Sequence, residues 1–218
     1  MRAPRWELFA ASCGVLFAVF FVAGFALQDT GASSSDVSAA EVVSSYSDSD
    51  TELRKELGAT FVGFAVFFLL IFLGSLRRAL VAAEGDSRLF SSSAFAGGIA
   101  MAVFLGTSAA FETAVASAEG FYDAYEVDAD TVLAFSTLSL WSFGLALVGA
   151  AVLIGSASLL AWKTGLFPKW LAIAGFVVTA LGFFGESTAA FVVPAVLAVA
   201  WLVVASVILA RHTWTTRS

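Results

Sequence analysis

Residues 94–118 read AFAGGIAMAVFLGTSAAFETAVASA, and this stretch decides how the rest of the chain is read. Every fourth residue from Ala94 is small: Gly98, Ala102, Gly106, Ala110, Ala114 and Ala118. Residues four apart lie one above another on a helix. In lipid, a face without bulk lets a neighbouring backbone come close, and such packing drives association where the hydrophobic effect does not. The same stretch carries Glu112, the one carboxylate well inside an apolar run. An ionisable group at that depth costs a few kcal/mol and turns toward protein or water rather than lipid. The spacing therefore predicts a helix at the centre of a membrane bundle, packed through Gly98, Ala102, Gly106 and Ala110.

Composition agrees. The 218 residues are 60% hydrophobic and 13% charged, with a mean hydropathy of +0.92. Runs of about 20 apolar residues are what a bilayer span requires. The pattern predicts an all-α, polytopic bundle of six transmembrane helices in a single domain, residues 1–218. Spans are expected at about 6–27, 58–76, 94–118, 131–162, 170–184 and 190–210, with a polar segment over 28–57. After the basic start MRAPR, the predominantly apolar run of 22 residues from Trp6 to Leu27 exceeds a signal-peptide core, so it reads as a retained span.

Within the polar segment, Ser38-Ala39-Ala40-Glu41 and Ser49-Asp50-Thr51-Glu52 both fit a capping box. They predict a short surface helix near 38–47 and a second helix that starts at Ser49 and runs into the next span. Residues 79–92 read as a loop turning at Gly85-Asp86. Gly165 and Pro168 read as a helix stop and the following helix start.

The charge split sets an orientation. The N-terminus, the 77–92 and 163–169 loops and the C-terminal tail hold nine basic residues against three acids, a net of +6. The opposite side holds Arg54 and Lys55 against fourteen acids, Glu112 counted among them, a net of −12. The positive-inside rule then predicts both termini in the cytoplasm and an acidic extracytoplasmic face.

Four segments carry a resemblance: SAAEVVSSY (38–46), FLLIFLGSLRRALVAAEGDSRL (68–89), KTGLFPKWLAIAGFV (163–177) and AWLVVASVILAR (200–211). In this order they resemble a group of small uncharacterised membrane proteins common in actinobacteria, of the domain-of-unknown-function class. The resemblance implies a six-helix protein of the cytoplasmic membrane. It implies no activity and no catalytic residue.

Polar chemistry is scarce: one Cys, one His, one Gln and no Asn. Cys13 reads as a small buried apolar group. His212 sits in the tail, so no pair of histidines exists to hold a haem across the bundle. Walker, H-E-x-x-H and G-x-S-x-G strings are absent, which argues against an enzyme. No metal site, cofactor or nucleic-acid partner is expected; the partners expected are membrane lipids and a membrane-protein partner or second copy. The candidate ligand or proton site is Glu112, because a carboxylate in low dielectric resists ionisation and can take up a proton as coupling groups do. Hydroxyls of Ser136 or Ser139 are expected to bond it, with Glu186 near the same opening. On this reading Glu112→Gln keeps the fold and Gly106→Leu disrupts it. Glu112 has a structural reading too, as a carboxylate just below the interface. The preferred function is a non-catalytic accessory, scaffold or lipid- and partner-binding bundle. The alternative is a small transporter or ligand-binding protein with an outward pocket near Glu112.

Overall fold

The structure, a computed structural model, describes residues 5–28, 49–121, 128–184 and 191–215. These form six helices: α1 (Arg5–Gln28), α2 (Ser49–Glu84), α3 (Leu89–Phe121), α4 (Ala129–Thr164), α5 (Lys169–Phe184) and α6 (Val192–Thr215). Five are long and apolar enough to cross a membrane. The 16-residue α5 is shorter, about 24 Å at the helical rise. The expected surface helix near 38–47 lies outside the described residues.

Consecutive helices pack side by side and α6 returns against α1, so the six form a ring that closes between α5 and α6. Each wall of the ring is built by residues at helical spacing. On α2 the buried positions are Lys55, Gly58, Val62, Ala65, Leu69, Phe72, Leu76 and Leu80, joined by Leu73 beside Phe72, a spacing of three and four that gives one continuous face. Ser206 of α6 donates to the Ala11 carbonyl of α1, opposite Gly14, where a methyl group would meet Ser206 at 2.7 Å.

The helix most enclosed by protein is α4, not α3. Of its apolar window 56% is buried, against 39% for α3. The reason is small residues on two faces of α4. A methyl group on Gly149 would stand 2.5 Å from the Met101 amide and 2.8 Å from the Gly97 carbonyl of α3. On another face Gly155 lies against Thr179 of α5, at 3.0 Å from its hydroxyl by the same measure.

The expected seam on α3 divides along its length. Ala94 and Ala102 are buried, and Gly98 packs against the Leu73 side chain of α2. Farther along, Gly106 has no neighbour within 4 Å of where a methyl group would stand, and Ala110 is exposed. The closest backbone approach falls one residue aside, at Gly97.

The 79–92 loop is also shorter than its polar sequence implies. Helix α2 continues to Glu84, whose carboxylate accepts from the Phe90 and Ser91 amides at 2.8 Å each. That bond caps α3 and leaves only residues 85–88 as turn. Gly85 and Arg88 there take positive φ, 76° and 50°.

Candidate functional site

The buried stripe of α2 begins with a charge. Lys55 is 1% exposed and its Nζ lies 3.3 Å from Oε1 of Glu112 on α3. Lys55, Val62, Leu69 and Leu76 recur every seven residues, so the helix that buries the last three also buries the first. Glu112 holds the equivalent place on α3, seven residues beyond the buried Leu105. Its side chain remains 24% exposed. One partner is sealed and the other reaches the edge of the bundle.

Of the two hydroxyls expected around Glu112, Ser139 is engaged elsewhere. Ser139 of α4 meets Ser108 of α3 at 3.0 Å and also donates to the Ser108 carbonyl at 3.1 Å. This corrects the expected Ser139–Glu112 bond: Ser108, one turn before Glu112, meets Ser139 first. Ser136 is half-buried and is not part of the ion pair. Glu186 lies outside the described residues.

Gln28 closes the same end of the bundle from α1. A methyl group on Gly58 would stand 2.6 Å from Gln28 Cγ, and one on Gly24 would stand 2.8 Å from the Gly58 carbonyl. The two glycines thus bring α1 and α2 together one turn from Lys55. The Gln28 amide nitrogen is buried and makes no hydrogen bond among the described residues. Beneath Ser108, Met101 and Leu105 line an apolar cleft with Phe21, Phe143, Ala146 and Ala198. The polar groups therefore form one band, from Gln28 through Lys55–Glu112 to Ser108–Ser139, above an apolar floor. Through Lys55–Glu112 and Ser108–Ser139 such a band can tie α2, α3 and α4 together.

Sequence reasoning placed Lys55 among solvated charges and missed the pair. The signal was its seven-residue register with Val62 and Leu69. Asp128, one acid of the expected acidic face, has a structural role. It is the N-cap of α4, accepting from the Asp130 amide at 2.9 Å and the Thr131 amide at 3.3 Å. The Thr131 hydroxyl, then the Asp130 amide, hold its carboxyl below the usual range.

The opposite end of the bundle is basic. Arg78 of α2 pairs with Glu7 of α1. Arg77 lies over the Phe95 ring at 5.1 Å, Lys163 over Phe90 at 4.9 Å and Lys169 over Trp162 at 5.9 Å. Cations and aromatic rings at helix ends are the arrangement of a membrane interface. His212 is exposed in the last turn of α6. Among the described residues no three His, Cys, Asp or Glu side chains converge.

These features define a multi-pass helical membrane protein. No family model, curated protein or solved structure matches the chain.

Proposed function

We propose that this chain is a non-catalytic integral protein of the cytoplasmic membrane, an accessory or scaffold bundle that binds lipid or a partner membrane protein. In this reading all six helices cross, both termini are cytoplasmic and the Lys55–Glu112 end faces outward with the acidic connections. The resemblance to small six-helix membrane proteins belongs to the same proposal. The observation that carries it is how the scarce interior polar groups are used. Lys55 is engaged with Glu112 and Ser108 with Ser139, which fastens helices and leaves an apolar floor beneath. A solute path needs polar groups along its length, and among the described residues the other buried hydroxyls, Ser91, Ser142, Ser158 and Ser206, are scattered over α3, α4 and α6.

A second reading, a small transporter or ligand-binding protein, is favoured by one feature: the Glu112 carboxylate stays partly exposed although its partner Lys55 is sealed. Reconstituted vesicles with a trapped pH dye separate the two. The scaffold reading expects proton entry after an acid jump to match that of empty vesicles. Entry that is faster, and is lost in Glu112→Gln, would transfer the assignment to the transporter.

A further inference from the structure

The α4–α5 hairpin is clamped more firmly than a surface turn requires. Gly165 takes the left-handed conformation, φ 74°, and its amide donates to the Ala161 carbonyl at 2.8 Å. Phe167 is 2% exposed and stands edge-on to Trp201 at 5.9 Å. The Trp201 indole donates to the Leu171 carbonyl at 2.9 Å. This holds the first turn of α5 against α6. The two rims of the turn, Lys163 and Lys169, are consequently presented on a fixed frame.

Both lysines are exposed, and neither makes an ion pair among the described residues. Each lies over an aromatic ring instead, Phe90 and Trp162. A ring face attracts the ammonium without neutralising its charge. Residues 163–170 contain no acid, and Glu84, the carboxylate next to Phe90 in the fold, is occupied by the Phe90 and Ser91 amides. Below the lysines runs an apolar lane. Trp162 and Phe176 contact across α4 and α5 at 6.5 Å, flanked by exposed Leu159, Ile173 and Val177.

We propose that this hairpin binds one anionic phospholipid, its phosphate between Lys163 and Lys169 and an acyl chain in the lane beside Trp162 and Phe176. Two cations with no ion-pair partner among the described residues, next to an apolar strip, match an amphiphile with a negative head and a hydrocarbon tail. Basic residues at a membrane surface favour anionic lipid by about fivefold each. The inference rests on the membrane reading given above.

The test uses the full chain in neutral detergent, titrated with brominated-chain phosphatidylglycerol or brominated-chain phosphatidylcholine while tryptophan fluorescence is followed. Phosphatidylglycerol is expected to quench at several-fold lower mole fraction. Trp162→Phe should remove the part of the quenching that differs between the lipids, and Lys163→Gln/Lys169→Gln should bring the two curves together with helicity unchanged by circular dichroism. If that double variant does not fold, the wild-type preference and the Trp162→Phe result decide. Equal quenching by both lipids in the wild type, or a preference that survives in the folded double variant, overturns the proposal. Absence of quenching by either lipid would overturn the membrane reading itself.

Discussion

Lys55 and Glu112 are 57 residues apart in sequence and meet at 3.3 Å, yet they are unequally buried, at 1% and 24% exposure. That inequality determines what each substitution does. Lys55→Met removes the sealed charge and leaves a carboxylate that water can reach. Glu112→Gln keeps the shape but leaves a buried ammonium without this carboxylate. Losing one partner of a buried pair costs about 3–5 kcal/mol, and the partial exposure of Glu112 puts both variants toward the lower end.

Both variants are therefore expected to destabilise by no more than about 3 kcal/mol against wild type, and Lys55 keeps a further contact when Glu112 is lost. The double variant Lys55→Met/Glu112→Leu should recover much of the loss, with a coupling of about 1–3 kcal/mol. Unfolding in detergent measures all four corners of this cycle. A silent Glu112→Gln, as the sequence suggests, would mean the pair contributes nothing to stability.

The glycines give a second contrast. At Gly149 a methyl group would strike backbone, the Met101 amide and the Gly97 carbonyl, and backbone cannot swing aside as a side chain can. Gly149→Ala should lower stability by about 1–3 kcal/mol. At Gly106 the same methyl group meets open space, so Gly106→Ala should stay within about 0.5 kcal/mol of wild type. Thermal midpoints in one detergent compare the two, and the reverse order would move the close helix crossing away from Gly149.

Helices were legible because apolar runs and caps are local. Ser49 was read as the start of α2 from four residues, and α2 begins there. Which helix lies at the centre was not local. The small residues of α3 recur every four positions, which shows that a neighbour can approach, but not how far along the helix it stays. Helix α2 follows α3 past Gly98, and beyond it Gly106 has no contact at its open side. Gly149 and Gly155 on α4 were visible in the sequence, but that they serve two different neighbours follows only from the ring. Lys55 was misread for a related reason. Composition assigned it to the polar segment, whereas its seven-residue register with Val62 belongs to the buried face.

Asp128 gives a pH signature. Its carboxyl is held below the usual range, first by the Thr131 hydroxyl and then by the Asp130 amide. A lowered folded value adds stability above the unfolded value of about 3.9, and that stability is lost as pH falls through the folded value. Asp128→Asn can still cap α4 without titrating. Wild type should be the more stable at neutral pH, and the gap in thermal midpoint should close on acidification below the carboxylate range. A gap of constant size across that range would show that the charge of Asp128 does not act through the cap.

The last prediction concerns α5, which at 16 residues is the one helix too short for an easy crossing. If α5 crosses, the end of α6 lies on the same side as the turn between α2 and α3. If α5 enters and leaves by the same face, the end of α6 lies on the opposite side. The placement of charge favours crossing: Arg77, Arg78 and Arg88 cluster near that turn, and Arg211 and Arg217 near the end of α6. A short span can be met by local thinning of the bilayer and by flanking residues reaching the interface, and Lys169 and Trp170 stand at the start of α5 to do so. In a Cys13→Ala background, which removes a buried thiol, single cysteines at Ser34, Asp86 and Ser218 report the sides. An impermeant maleimide on intact cells should label Ser34→Cys alone, and permeabilisation should expose Asp86→Cys and Ser218→Cys together. Labelling of Ser218→Cys from outside, with Asp86→Cys still protected, would mean that α5 does not cross and that the bundle has five spans.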